Sequence, residues 1–325
     1  MAPLLKEIKS LPYLSKPSPE EFKKLRGKPM VFKDSIENEW ANRLNFDTIK
    51  TLIPNIKVVL RRSLCNTSER IECDFHDYIN YITERKSLQN CYTENQLTGE
   101  SFFKEYHPSD KLYCLEMDSN YNPDLAKFFS CPSFMGDWFD KYMPLMKKSV
   151  LEGKRHTWFF IGPKGTLSEL HTDHDSIHTT IQQCDGQKRF FTIMPKDQIE
   201  LEDKHADEDI ESLRFDLNEQ RSAIEVTSVL KNSRIDSLLE SLKGIDVFVN
   251  DLSRGDVIYI PCMTGHYAVS LSNSIGVSRD FVDELNLDKY LFSCLFSSHV
   301  FEVANRIAPY SLLQSLKNEY ESLKI

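Results

Sequence analysis

Short apolar runs, each closed by a turn, fill much of the second half of this 325-residue chain. They lie at 158–162, 188–194, 255–261, 265–271 and 275–281, with glycine, proline or asparagine between or after them. Runs of this length that are rich in β-branched and aromatic residues are typical of β-strands. Several short strands joined by tight turns predict an antiparallel barrel or jelly roll.

Two of these runs carry residues that suit a metal ion. The segment from His171 to Asp173 has the form H-x-D, and His266 follows a glycine in a later run. Alternate side chains of an extended strand point to one side, so His171 and Asp173 are predicted to face the same way. Two imidazoles and one carboxylate on one face of an ion form the facial arrangement of non-haem Fe(II) oxygenases. His171, Asp173 and His266 are therefore the candidate iron ligands and catalytic residues.

The stretch from about Tyr113 to Phe281 resembles a known family. H-x-D followed by a distant histidine, the run Gly186 to Arg189 (G-Q-K-R) and the strand 111–116 together resemble the JmjC (cupin-like) Fe(II)/2-oxoglutarate oxygenases. The small JmjC protein hydroxylases are the most similar branch. The resemblance implies Fe(II) as metal, 2-oxoglutarate as co-substrate and O2 as oxidant.

The same resemblance implies the co-substrate contacts. Lys188 would pair the distal carboxylate of 2-oxoglutarate, with Ser168, Tyr113 and Ser278 as further contacts. Lysine suits this role because a buried carboxylate must be paired and a compact ammonium fits the end of a narrow pocket. Arg189 and Arg279 are the next candidates for the cation.

The fold class implied is mainly β with some α. A double-stranded β-helix (jelly-roll, cupin) core is expected at 111–285, interrupted by an insert at 197–250. An N-terminal α/β cap is expected at 1–110 and C-terminal helices at 286–325, which would pack on the barrel of the same chain or, alternatively, form a homodimer. In the cap, the sequence from Ser18 predicts a helix start, because Ser18 can cap and a proline follows at the first helical position.

The function implied is hydroxylation of an unactivated C–H bond in a protein or peptide side chain, with release of succinate and CO2. Three alternatives use the same residues: hydroxylation of a small metabolite in biosynthesis, demethylation of N-methyl-lysine, and metal binding by a non-catalytic cupin. Matches at all three ligands and at Lys188 disfavour the last, because a scaffold has no physical need for this set.

Two positions depart from the family pattern. Asp280 precedes Phe281 where the small hydroxylases often have asparagine, which would place an extra carboxylate near the iron. Ile181, beside Thr179 and Thr180, occupies a position where the family often has asparagine or tyrosine. The group that supports the metal-bound end of 2-oxoglutarate is therefore open.

Charge and composition restrict the partners. The net charge of −9 disfavours a general nucleic-acid binder, which needs a positive footprint. Acidic residues cluster in the insert between Glu200 and Glu211, where we expect either a solvated, partly helical loop or a lid that attracts a basic substrate.

The eight cysteines form no C-x-x-C pair, and no apolar run reaches the roughly 18 residues that span a bilayer. The sequence predicts free thiols and a protein of the cytoplasm, or of the nucleus in a eukaryote, without a membrane partner. His174 and His178 are four residues apart, but a zinc pair would need a helix there, so both are predicted to be loop or mouth residues.

Overall fold

The computed structural model of the protein describes most of the chain between residues 4 and 290. The described residues are 4–5, 8–62, 69–118, 123–136, 157–173, 176–204, 213–219, 221, 223–228, 235–287 and 289–290.

Within these residues strands outnumber helices. In chain order the strands are β1 (Leu4–Leu5), β2 (Tyr13–Leu14), β3 (Met30–Phe32), β4 (Lys57–Arg62), β5 (Glu69–Asp74), β6 (Leu88–Asn95), β7 (Ser101–Tyr106), β8 (Leu112–Asp118), β9 (Thr157–Gly162), β10 (Leu167–His171), β11 (His178–Asp185), β12 (Gln187–Ile193), β13 (Leu213–Leu217), β14 (Ile224–Ser228), β15 (Val247–Ser253), β16 (Val257–Ile260), β17 (Gly265–Ser270) and β18 (Ser274–Phe281). The helices are α1 (Pro19–Leu25), α2 (Glu39–Arg43), α3 (Ile49–Leu52), α4 (Phe75–Thr83), α5 (Pro195–Lys204) and α6 (Ile235–Leu242), and two 3₁₀ turns lie at Pro108–Asp110 and Pro123–Phe128.

The barrel is formed by two sheets that face each other. One has the order β10-β17-β12-β15, and the other contains β16-β11-β18-β9 within an eleven-stranded sheet. Neighbouring strands in both sets are antiparallel. Consecutive strands alternate between the sheets from β9 to β12 and again from β15 to β18, which is the connectivity of a jelly roll. The predicted fold class is confirmed.

An apolar core fills the space between the two sheets. Ile181 and Ile258 from the large sheet pack with Phe190, Leu252 and Ala268 from the small one. Because side chains alternate along a strand, these residues define which positions face the barrel interior. On β12 the interior positions are therefore 188, 190 and 192.

The N-terminal residues extend the barrel sheet on both sides. β2 and β3 join it beside β16, and β4 to β7 continue it beyond β8. Helix α1 begins as predicted, since Ser18 and Glu21 form a capping box and Pro19 occupies the first turn. Its Phe22 packs against Tyr259 on the outer face of β16, with ring centroids 5.1 Å apart. The boundaries at 110 and 285 stay predictions.

The insert between β12 and β15 is folded. It is partly helical as expected, because α5 carries the exposed Glu200 and Asp203, but the expectation that the rest is a solvated loop is wrong. β13 and β14 pair with each other and with β1 in a third sheet. Phe215 of β13 packs on Phe191 and Tyr267, with centroids 5.7 and 5.5 Å away, on the outer face of the small barrel sheet. Residues 205–212, which hold part of the acidic cluster, lie outside the described residues.

The predicted C-terminal helices and the dimer assigned to them lie almost wholly outside the described residues, which end at Tyr290. Within the described part of the chain, no helix is both long enough and apolar enough to cross a bilayer.

The turn between β11 and β12 requires glycine. Gly186 has φ +68°, and a Cβ there would lie 1.9 Å from the backbone oxygen of Asn273. We expect Gly186→Ala to lose roughly 2–5 kcal/mol of unfolding free energy, from left-handed strain plus a backbone clash. Gly99 is the matched control, because its φ is +72° and no atom lies within 4 Å of its Cβ position. Urea unfolding measures both variants, and equal losses would contradict the clash with Asn273.

Candidate metal and co-substrate site

An irregularity in β10 directs His171 into the barrel. Ser168 pairs with Ala268 and His171 pairs with His266. Three residues along β10 therefore correspond to two residues along β17, which is a β-bulge in β10. Without this bulge, regular alternation would place Leu170 inside and His171 outside. Instead Leu170 is fully buried in the cluster on the outer face of the small sheet, and His171 faces His266 across the strand pair.

The three candidate ligands converge. Asp173 Oδ1 lies 3.8 Å from His171 Nε2 and 3.7 Å from His266 Nε2. One potential ligand atom from each residue falls within 4.8 Å of the other two. The strand ends at His171, so Asp173 reaches this position from the segment after the strand, and the predicted alternation along one strand is corrected in that respect.

Both imidazoles are oriented as metal ligands. Nδ1 of His171 lies 2.6 Å from the carbonyl oxygen of Glu169, and Nδ1 of His266 lies 3.1 Å from that of Thr264. A carbonyl can only accept, so each Nδ1 carries a proton, and each Nε2 faces the space next to Asp173, where a metal ligand atom would lie. Burial, with a contribution from His171, lowers the pKa of His266 to about 4, so this imidazole is neutral at neutral pH. The donor set fits a divalent cation such as Fe(II).

A buried cation lies on the same inner surface. Lys188 is 2% exposed, and its Nζ donates to the hydroxyl of Tyr113 at 2.8 Å. The ammonium also lies over the rings of Tyr113 and Phe160, 5.3 and 5.5 Å from their centroids. No acidic side chain among the described residues forms an ion pair with it. Because a buried ammonium needs a counter-charge, this end of the barrel fits a carboxylate.

Strand pairing places the cation and the metal ligands at two levels of one cavity wall. Lys188 lies opposite Ser270, and Thr192, four residues later, lies opposite His266. Four residues of strand span about 13 Å between Cα atoms, and the lysine side chain shortens that gap. The arrangement suits an elongated acid with a carboxylate at the lysine end and chelating oxygens at the metal end.

The other predicted contacts also face the interior. Ser168 lies opposite Ala268. Ser278 is 1% exposed and lies between Trp158 on β9 and Ile181 on β11. Their roles as co-substrate contacts stay predictions.

The alternative anchor Arg189 points the other way. Its guanidinium binds both carboxylate oxygens of Asp251, at 2.6 and 2.8 Å, on the outer face of β12. Arg279 is likewise out of phase with the interior position Ser278. Neither arginine is therefore placed to receive a ligand inside the barrel.

The departure at Asp280 lies inside the barrel. Asp280 is 5% exposed and accepts hydrogen bonds from the Thr179 hydroxyl at 2.7 Å and from Trp158 Nε1 at 3.4 Å. Two neutral donors thus hold this extra carboxylate at the end of the barrel from which β18 leaves.

The prediction that His178 is a loop or mouth residue is wrong. His178 begins β11, is 1% exposed and faces the outer core. Its Nδ1 accepts from the backbone N–H of Cys262 at 3.0 Å, so Nε2 carries the proton and faces Asp283 Oδ1 at 3.3 Å. Arg26, the residue after α1, reaches the same carboxylate at 3.2 Å. The hydrogen bond from Cys262 to His178 connects the segment between β16 and β17, which precedes His266, to the outer core. No local sequence signal predicts this contact.

Comparison with known proteins assigns the family. Residues 20–284, from α1 to just beyond β18, match the family model described as a cupin-like domain. The chain belongs to the cupin-like domain family. The three candidate ligands and Lys188 all fall within this cupin-like domain.

Curated relatives have low sequence identity to this chain, but their alignments cover most of its length. The chain is 22% identical over 275 residues to the 2-oxoglutarate and iron-dependent oxygenase JMJD4 of Mus musculus, covering 80% of this chain and 56% of the relative. It is 20% identical to the protein of the same name from Danio rerio, over 80% of this chain and 56% of that one. The arginine-specific demethylase JMJ20 of Arabidopsis thaliana is 19% identical over 81% of this chain and 54% of its own. The resemblance to JmjC oxygenases is confirmed, and the chain spans about half the length of these relatives.

Proposed function

We propose that this cupin-like domain is an Fe(II)- and 2-oxoglutarate-dependent oxygenase that hydroxylates an unactivated C–H bond of a protein or peptide side chain. One observation carries the proposal: His171, Asp173 and His266 converge on the same barrel interior that holds Lys188, a buried ammonium with no acidic partner among the described residues. A metal chelator with a distal carboxylate satisfies both features, and 2-oxoglutarate has that chemistry.

The residues of the chain would bind the iron and keep its ligands in the required orientation. The Nε2 atoms of His171 and His266 and the carboxylate of Asp173 would hold the iron, and the carbonyls of Glu169 and Thr264 fix the two rings. When bound, iron would supply the oxidation chemistry by which a substrate C–H becomes C–OH, with O2 consumed and 2-oxoglutarate converted to succinate and CO2.

Lys188 and Tyr113 hold the distal carboxylate. The lysine supplies charge, and the tyrosine hydroxyl fixes the direction of the ammonium. Phe160 and Ile181 line the interior between the sheets and exclude water, which strengthens the ion pair. Ser168 and Ser278 complete the predicted contacts from the two facing sheets.

The same residues would also support demethylation. Hydroxylation of an N-methyl group yields an unstable product that releases formaldehyde, and one relative is named as an arginine-specific demethylase. We rank side-chain hydroxylation first, and the product released in the assay below distinguishes the two. Hydroxylation of a small metabolite is a third outcome of that assay.

We propose a basic target and a cytoplasmic location, or a nuclear one in a eukaryotic cell. The net charge of −9 favours encounter with a cationic partner. Asp203 adds exposed negative charge on α5, where Glu200 is already paired with Lys204. Cys73, Cys91, Cys184 and Cys262 are free thiols, which supports a reducing compartment. The proposed homodimer through the C-terminal helices is tested by measuring molar mass with and without residues 291–325.

The test is product analysis with the full chain. The protein is incubated with Fe(II), O2 and 2-oxoglutarate, and with separate pools of basic peptides, acidic peptides and small metabolites. We expect succinate, together with the gain of one oxygen atom on a basic peptide. Formaldehyde release would instead support demethylation, and products only among metabolites would support biosynthesis. Succinate no higher than in an Asp173→Ala control, in every pool, would overturn the oxygenase proposal.

A further inference from the structure

The hydroxyl of Thr192 is a buried polar group beside a candidate iron ligand. Thr192 is 1% exposed and lies directly opposite His266 in the β12–β17 pairing. It follows Lys188 and Phe190 at alternate positions, so its side chain faces the barrel interior as theirs do. Directly opposed side chains of antiparallel strands start about 5 Å apart at Cβ. The hydroxyl is therefore at the metal end of the barrel.

This hydroxyl has no hydrogen-bond partner among the described residues. A buried hydroxyl left in this state costs free energy, so the position is unfavourable for the protein alone. Nearby threonines differ. Thr179 donates to Asp280 at 2.7 Å, and Thr180, on the outer face, donates to the carbonyl of Arg279 at 3.2 Å. Among these three threonines, Thr192 is the one whose donor is available to a ligand in the barrel.

We propose that Thr192 binds the co-substrate, donating a hydrogen bond to the carboxylate of 2-oxoglutarate that lies at the metal. The inference rests on the proposed oxygenase function and adds a second anchor at the end opposite Lys188. A carboxylate that leaves water for an apolar barrel needs a donor for each oxygen that the metal does not satisfy. Ile181, which faces the same interior, offers no donor. Thr192 supplies a donor, and its buried hydroxyl gains a hydrogen-bond partner when the carboxylate binds.

Two substitutions separate the hydroxyl from the packing of its side chain. Thr192→Val keeps the shape and removes the donor, and Thr192→Ser keeps the donor and removes a methyl group. The dissociation constant of 2-oxoglutarate is titrated with the Mn(II)-loaded protein, and the melting temperature is measured without 2-oxoglutarate. Thr180→Val is the matched control, because Thr180 is equally buried and its hydroxyl is already bonded within the protein.

We expect opposite patterns from the two valine variants. Thr192→Val should raise the dissociation constant of 2-oxoglutarate about tenfold, equivalent to about 1.4 kcal/mol. Its melting temperature should stay level or rise, and its Mn(II) affinity should not change. Thr180→Val should melt at a lower temperature and bind 2-oxoglutarate as the parent does. Thr192→Ser should bind nearly as tightly as the parent.

Three other results would contradict the Thr192 inference, and they show whether the oxygenase proposal fails with it. If the parent binds 2-oxoglutarate and Thr192→Val binds it equally well, the Thr192 inference is wrong and the oxygenase proposal stands. If Thr192→Ser is as weak as Thr192→Val, the effect belongs to packing of the methyl group, and the inference is again wrong. If the Mn(II)-loaded parent does not bind 2-oxoglutarate at all, the proposed function and the inference both fail.

Discussion

Replacing Asp173 with alanine should lower metal-dependent turnover of 2-oxoglutarate by at least about 100-fold, because losses of 10–100-fold already follow when only the partner of a ligand is removed. Asp173 supplies the single carboxylate of the three-residue set and lies within 4 Å of both imidazole Nε2 atoms. Without it two neutral imidazoles remain, and the charge that balances a divalent cation is lost.

The fold should survive this change. Asp173 follows the end of β10, is partly exposed and belongs to none of the apolar clusters formed by the described residues. Circular dichroism and thermal unfolding check the fold, Mn(II) titration checks the metal site, and succinate formation checks turnover. Asp47→Ala, at an exposed position, is the control for loss of one negative charge and should behave as the parent. Parent-like turnover by Asp173→Ala would show that the metal ligands were assigned wrongly.

Replacing Lys188 with methionine should weaken 2-oxoglutarate binding by roughly 2–5 kcal/mol, which is the range for truncating one partner of a buried charge pair. The ammonium is buried and donates to the Tyr113 hydroxyl. Arg189 and Arg279 do not face the barrel interior, so neither of them replaces Lys188 as the cation for a ligand carboxylate. Methionine keeps most of the volume. Mn(II) affinity should be unchanged, because Lys188 is four residues along β12 from Thr192, the position opposite His266, and is not one of the metal ligands.

Arg189→Met is the matched control for this variant. Arg189 is the next residue on β12 and carries the same charge, but it binds Asp251 on the outer face. We expect Arg189→Met to lose unfolding free energy, because it leaves the Asp251 carboxylate without its principal partner, and to keep the parent's affinity for 2-oxoglutarate. Lys188→Met should instead be as stable as the parent or more stable, since a buried cation without an acidic partner is removed. If both variants bind 2-oxoglutarate like the parent, the anchor lies elsewhere.

Much of the fold could be predicted from local sequence. The run from Gly255 to Ile260 and the turn at Gly186 show strand length and turn chemistry directly, and these properties depend on residues that are neighbours in the chain. The capping box at Ser18 is equally local. The strands of the insert were not predicted, because they are short and their apolar residues become buried only in the tertiary structure, in one cluster with barrel residues such as Phe191 and Tyr267.

The candidate site was predictable in its residue types. H-x-D, a distant histidine and a lysine after the Gly186 turn are visible as letters, because metal and carboxylate binding restrict which side chains can serve. The same sequence also allowed Arg189 to be the cation that binds the distal carboxylate of 2-oxoglutarate, and it allowed His178 to lie in a loop. Neither possibility could be rejected before the strand pairing was known.

The sequence by itself therefore determined the strands, their turns and the chemistry of the site. The tertiary structure decided which way each side chain faces. The bulge that turns His171 inward exists only in the pairing of β10 with β17, and the contact of Lys188 with Tyr113 joins residues 75 positions apart. The outward direction of Arg189 depends on the register of β12 with β15. A shift of one residue in any strand exchanges its inner and outer faces, so orientation is a property of the packed sheets and not of the local sequence.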